Sequence, residues 1–92
     1  MRIACVVILY RPPENVTGNI LSYHSYPEKI YLIDNTETLS LPPSFAVVPG
    51  TVCIHDGENR GIAARLNQAC RMAIAEGYDL LLTMDQDSYF DA

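Results

Sequence analysis

The sequence has few basic residues and no long apolar run, and each of these shortages excludes a class of protein. Only six of the 92 residues are Lys or Arg, scattered along the chain, and the formal net charge is −5. Nonspecific binding of nucleic acid depends on a basic surface that neutralises phosphates, so we expect no nucleic-acid partner. No apolar run approaches the roughly 20 residues that span a bilayer, so we expect no membrane span.

The chain also lacks paired cysteines and clustered histidines. Cys5, Cys53 and Cys70 lie far apart within apolar segments, and no CxxC pair occurs. This pattern favours buried, reduced thiols in a cytosolic protein. His24 and His55 have no ligand spacing to any cysteine, so zinc is not expected and we interpret both histidines as structural. The expected location is the cytoplasm, with peripheral attachment at the inner face of the membrane as an alternative.

Short apolar runs that alternate with helical patterns predict one small α/β domain with a parallel sheet. Strands are expected at residues 3–10, 29–33, 51–55 and 80–84. Pro12 and Pro13 favour the first turn of a helix whose apolar face carries Val16, Ile20 and Tyr23. Three prolines make residues 39–50 mostly irregular.

The strongest helical pattern follows a turn at residues 56–59 and ends near Gly77, which stands where a C-terminal cap belongs. Arg65 and Arg71 are expected to be solvated charges on this helix. Its apolar face is expected to consist of Ile62, Leu66, Ala69, Cys70, Ala73 and Ile74.

Two carboxylates, Asp85 and Asp87, follow the last predicted strand directly. Open α/β sheets place ligands at the carboxyl ends of their strands. Hard divalent cations prefer carboxylate oxygens and, in turn, phosphate oxygens. The pattern therefore indicates metal-assisted binding of a phosphorylated ligand, and a solvated acidic turn is the alternative.

An EF-hand loop is excluded because Tyr89 and Phe90 replace its next ligand and its glycine. A haloacid-dehalogenase phosphatase is disfavoured because Tyr89 replaces its threonine and the motif lies at the wrong end of the chain.

Four motifs, in order and covering nearly the whole chain, resemble the nucleotide-sugar-binding half of the inverting family 2 glycosyltransferases with the GT-A fold. The resemblance is closest to the rhamnosyltransferase-like members. The motifs are VILYRP at 7–12, IDNT at 33–36, ENRGIA at 58–63 with Asn67, and LTMDQDS at 82–88. One departure is Arg11, where most relatives have asparagine.

The resemblance implies a Rossmann-like GT-A half-domain with about four parallel strands in the order 3-2-1-4 and flanking helices. It implies a dTDP- or UDP-sugar donor, a divalent cation (Mn²⁺ or Mg²⁺), and a glycan or lipid-linked acceptor in polysaccharide synthesis. The general base would belong to an acceptor-binding half after the D-x-D motif. Residues 1–92 are therefore expected to form a single truncated donor-binding domain that contains no catalytic residue and is inactive alone.

The resemblance also implies roles for the acidic residues. Asp85 would face the ribose, and Asp87 would bind the metal that bridges the diphosphate, with Asp85 as a second candidate ligand. Asp34 would accept the imide N–H of uracil or thymine, a task that suits a carboxylate because it only accepts hydrogen bonds. The alternative for Asp34 is formation of a turn with Asn35.

Four further residues are candidates for binding the nucleotide-sugar. Tyr10 would lie near the base, Asn59 and Gly61 open the long helix, and Asn67 lies within it. The alternatives are packing for Tyr10 and a helix cap for Asn59.

The sequence leaves two other functions open, and it also predicts self-association. The chain could be a stand-alone nucleotide-binding module without transfer activity, or a nucleotidyltransferase-like domain. The latter is disfavoured because Arg11, Pro12 and Pro13 do not form a Gly-rich loop. Residues 80–84 are an apolar strand without the proline or lysine that protects sheet edges, so a homodimer is expected.

Overall fold

The computed structural model describes residues 1–37 and 48–90, which form a parallel sheet with a helix on each face. The strands are β1 (Ile3–Leu9), β2 (Lys29–Asp34), β3 (Thr51–His55) and β4 (Leu80–Asp85), and the helices are α1 (Val16–Leu21) and α2 (Ile62–Ala75). Each strand pairs in parallel in the order β3-β2-β1-β4, which confirms the predicted fold class and strand order. Most of the segment predicted to be irregular, residues 39–47, lies outside the described residues.

Successive side chains of a strand point to opposite faces of the sheet, and this alternation divides the core into two layers. Cys5, Val7 and Leu9 pack with Val16 and Ile20 of α1. Their neighbours in β1 face the other way and form the second layer with α2: this layer includes Ala4, Val6, Ile8, Ala69 and Ala73. Paired residues of neighbouring strands share a face. The two layers therefore show whether each strand residue lies on the α1 face or on the α2 face of the sheet.

Helix α1 begins at Val16, one turn after the two prolines, and ends at Leu21. Val16 and Ile20 are fully buried, as their spacing predicted. Tyr23 is also buried, although it lies beyond the end of the helix. None of the helices in residues 1–37 and 48–90 is long and apolar enough to cross a membrane.

Helix α2 buries a narrower stripe than its apolar pattern predicted. Arg65, Ala69 and Ala73 are buried at i, i+4 and i+8, whereas Ile62 and Ile74 are 66% and 76% exposed. The two small alanines face the sheet and Leu66 packs against the same layer, whereas Ile62, Cys70 and Ile74 are exposed. The prediction that Arg65 is a solvated charge is therefore wrong. Gly77 has φ of 82°, which confirms its position at the end of the helix.

The predicted burial of the cysteines is only partly correct. Cys5 is buried in β1, but Cys53 and Cys70 are exposed. Cys53 lies in β3, which forms one edge of the described sheet. Cys70 follows the buried Ala69 and so points away from the contact between α2 and the sheet. Apolar sequence context does not distinguish an edge strand or the flank of a helix from the core.

Candidate ligand cleft

An open cleft of about 850 Å³ lies at the carboxyl end of the sheet, between the ends of β1 and β4 and the start of α2. Its apolar wall includes Ile8, Ile62 and Leu66. Its polar groups include Tyr10, Asn35, Asn59, Asp85, Gln86 and Ser88. An apolar wall with a few convergent polar groups is typical of a small-molecule site, and the volume falls in the range for such sites.

The cleft brings together four of the seven candidate residues. Tyr10, Asn59, Gly61 and Asp85 line it, and they come from three separate segments of the chain. The side chain of Asp85 lies on the α2 face because Asp85 pairs with Ile8. The other three candidates, Asp34, Asn67 and Asp87, are not among the lining residues. Asn67 and Asp87 are both exposed.

Asp34 ends β2 on the opposite face of the sheet. It pairs with Leu9, which belongs to the α1 layer, and only 2% of it is exposed. Its Oδ1 accepts hydrogen bonds from the backbone N–H and the hydroxyl of Thr36, at 3.0 and 2.6 Å. Its Oδ2 lies 3.0 Å from Nδ1 of His55, close enough for an ion pair when the imidazole is protonated. The structure thus provides Asp34 with intramolecular partners on the face away from the cleft. These favour the turn-forming alternative, and the contact with a base stays an untested prediction.

Thr36 links Asp34 to the exit of β1. The Thr36 Oγ1 that donates to Asp34 also accepts the backbone N–H of Arg11 at 2.7 Å. Arg11 has φ of 43°, in the left-handed region that is unfavourable for most residues other than glycine. The buried carboxylate therefore helps to hold a strained turn directly after Tyr10.

Asn35, which the motif analysis did not select, is the residue of this segment that lines the cleft. It is 3% exposed, and its Oδ1 accepts hydrogen bonds from Arg65 Nε at 2.6 Å and Arg60 N at 3.3 Å. With both bonds on the oxygen, the opposite side of the carboxamide is the Nδ2 donor. Strict alternation along β2 is the signal that could have separated Asn35 from Asp34.

Arg65 is fully buried and connects Asn35 to the loop before α2. Its Nη2 donates to Asp56 Oδ1 at 2.7 Å and to the carbonyl of Glu58 at 2.9 Å, and its Nη1 donates to Gln68 at 3.0 Å. The hydrogen bond from Arg65 lowers the pKa of Asp56 from its usual 3.8 to about 2. The guanidinium thus fixes the loop that carries Asn59 and Gly61 to the cleft.

Asn59 and Gly61 shape the start of α2. The Oδ1 of Asn59 accepts the N–H of Gly61 at 3.0 Å, and Gly61 has φ of 80°. A Cβ built on Gly61 would meet no atom within 4 Å, so the requirement for glycine is conformational and not steric. Asn59 therefore has a turn-forming role whether or not it contacts a ligand.

The rim of the cleft is held by Glu37. Its carboxylate accepts from the hydroxyl of Tyr10 at 3.4 Å and lies 3.5 Å from Arg11 Nη2. Desolvation acts to raise the pKa of Glu37, but hydrogen bonds from Asn59, Tyr10 and Arg11 outweigh it and lower the pKa. Glu37 thereby joins the loops that follow β1 and β2 to the loop before α2.

The D-x-D segment forms a tight turn at the end of β4. The N–H of Ser88 donates to the carbonyl of Asp85 at 3.0 Å. No group of three or more His, Cys, Asp or Glu side chains that could hold a metal ion occurs in the part of the chain that the structure describes. Two carboxylates nevertheless match the way in which Mg²⁺ is commonly bound, by one or two carboxylates together with phosphate oxygens and water.

Comparisons with protein-family models, with curated proteins and with solved structures find no match to this chain.

Proposed function

We propose that this chain binds a nucleotide-diphospho-sugar, preferably a dTDP- or UDP-sugar, together with Mn²⁺ or Mg²⁺. In this proposal it is the donor-binding part of an inverting glycosyltransferase of polysaccharide or glycan synthesis. The main support is that Asp85, at the end of β4, and Gly61, at the start of α2, line one cleft. A divalent-cation ligand and a helix N-terminus are both suited to a diphosphate.

The polar groups in and beside the cleft divide into two sets in this proposal. Asp85 lines the cleft, and Asp87 lies outside the lining in the same turn. These two carboxylates would hold the cation, which would supply positive charge to the departing diphosphate as the glycosidic bond breaks. Tyr10 and the Nδ2 of Asn35 lie at the exits of β1 and β2 and offer an aromatic ring and a fixed donor to the base. Asp34 supports this part of the cleft from the opposite face through Thr36 and Arg11.

A second candidate is a nucleotide-binding module that does not transfer sugar by itself. Among the described residues that line the cleft, Asp85 is the only carboxylate, and the proposal already assigns it to the donor. A general base for an acceptor hydroxyl must then come from elsewhere. Asp91, which follows the D-x-D segment, lies outside the described residues. We accordingly expect negligible sugar transfer by residues 1–92 alone.

Calorimetry with UDP and dTDP tests the proposal. Binding should be measurable with Mn²⁺ or Mg²⁺ and much weaker in EDTA, because the diphosphate and the two aspartates would otherwise repel one another. Asp87→Asn should reproduce the effect of EDTA. Asp79→Asn is the matched control, since Asp79 precedes β4 at the other end of the sheet and accepts the backbone N–H of Arg2. Equal affinity with and without metal would contradict the proposal.

A further inference from the structure

The side chain of Gln86 pairs with the backbone at the exit of β1. Its Oε1 accepts the N–H of Tyr10 at 3.1 Å, and its Nε2 donates to the carbonyl of the same residue at 3.2 Å. The backbone pairing of β1 with β4 reaches only as far as Ile8 and Asp85. The carboxamide therefore continues the connection between the two strands beyond the point where their ladder ends.

Gln86 is also held by helix α1. Its backbone carbonyl accepts a hydrogen bond from Nδ2 of Asn19 at 3.1 Å. Gln86 thus joins three elements at one point: the end of β4, the exit of β1 and helix α1. It stands directly between Asp85 and Asp87 in the sequence, so its side chain and backbone anchor the middle of the acidic turn.

We propose that Gln86 is a positioning residue that fixes the two aspartates relative to Tyr10 before any ligand binds. The inference rests on the proposed function, because it assigns Asp85 and Asp87 to a metal-bound nucleotide. A turn that is held in advance loses less conformational freedom when it binds a cation and a diphosphate. Residues that orient metal ligands typically contribute 10- to 100-fold to metal affinity.

The two hydrogen bonds to the backbone of Tyr10 require a carboxamide at position 86. One end of the side chain must accept from a backbone N–H and the other must donate to a carbonyl. An ionised glutamate has no donor, and its charge would face the carbonyl of Tyr10. Methionine has nearly the same length and volume but replaces both hydrogen-bonding groups. Gln86→Met therefore removes both hydrogen bonds to Tyr10 while preserving most of the packing.

The test compares the full chain with its Gln86→Met variant by amide hydrogen exchange and by calorimetry. The amides of Tyr10 and Ser88 should exchange at least several-fold faster in the variant, because one loses its acceptor and the other lies in the turn. The ratio of UDP affinity with Mn²⁺ to that in EDTA should fall about tenfold or more. Ser22→Ala is the control, since Ser22 Oγ accepts the N–H of Phe90 beyond the acidic turn at 2.8 Å. Its affinity ratio should remain that of the wild type.

The outcomes separate this inference from the proposed function. An unchanged exchange rate at Tyr10, or an unchanged affinity ratio in a variant that loses only thermal stability, would overturn the positioning role. A wild-type chain that binds no UDP with Mn²⁺ would remove the proposed function. Faster exchange at both Tyr10 and Ser88 in Gln86→Met would in that case still support the role of Gln86 in ordering the turn.

Discussion

Nε of Arg65 donates to Oδ1 of Asn35 over 2.6 Å, and this contact joins the segment directly after β2 to helix α2. The same guanidinium reaches Asp56 and the carbonyl of Glu58, so a single buried cation orders two loops that bound the cleft. The contact explains why an arginine lies on the buried stripe of α2, where only apolar residues were expected. Its charge is compensated and all of its nitrogens donate hydrogen bonds.

Replacement of Arg65 should be among the most destabilising single changes in this chain. Arg65→Met keeps much of the side-chain volume but leaves Asn35 and Asp56 without their main donor. Loss of a buried charged pair typically costs about 3–5 kcal/mol; because Asp56 is partly exposed, we expect about 2–3 kcal/mol in the free energy of unfolding. Chemical denaturation should show this loss, and Arg71→Met, on the exposed side of α2, should change stability by less than about 0.5 kcal/mol. Equal effects of the two changes would contradict the role of Arg65.

The Arg65–Asp56 pair should also make stability depend on pH at the acid end. The pKa of Asp56 is lowered from 3.8 to about 2 in the folded state, so the folded state holds its proton less tightly than the unfolded chain. The contribution of the pair is therefore fully present above about pH 4 and is lost as the pH falls towards 2. Since Glu37 and Glu76 act in the same direction, the informative quantity is the difference between wild type and Arg65→Met. That difference should shrink between pH 4 and 2 in urea unfolding; a constant difference would contradict the prediction.

Asp34 should act on stability more than on ligand binding. Asp34→Asn removes the charged acceptor of Thr36 and the carboxylate beside His55, and we expect a loss of about 1–3 kcal/mol in the free energy of unfolding. Nucleotide affinity should change by no more than about threefold, because the side chain lies on the face of the sheet away from the cleft. Thermal melting and calorimetry on the same samples decide the matter. A large loss of affinity with an unchanged melting temperature would assign Asp34 to base recognition after all.

The edge formed by β4 should mediate self-association. Among the described residues β4 pairs only with β1, and Leu80 and Leu82 on its α1 face are 46% and 45% exposed. An apolar strand with one unpaired edge favours pairing with a second copy. We expect light scattering at micromolar concentration to give the mass of a dimer, and Leu82→Lys to shift it towards the monomer. A monomeric wild type would mean that this edge is protected.

The apolar patterns of the chain were sufficient to predict the four strands, both helices and the α/β class. Local preferences also located Gly77, because a left-handed residue at a helix end strongly favours glycine. The D-x-D motif and the helix start could be placed at the carboxyl end of the sheet because the parallel strands all end there. These features depend on short-range pattern and on the general geometry of parallel sheets, which a sequence carries by itself.

Only the tertiary structure decided which polar residues face the cleft. Alternation along β2 puts Asp34 and Asn35 on opposite faces, but only the register with β1 and the packing of α2 decide which of the two faces the cleft. Arg65 has the helical spacing of either a core or a surface residue. It is buried because Asn35 and Asp56, 30 and nine residues away, supply the partners that offset its desolvation. Such partnerships form only after distant segments meet, so local sequence pattern alone could not predict them.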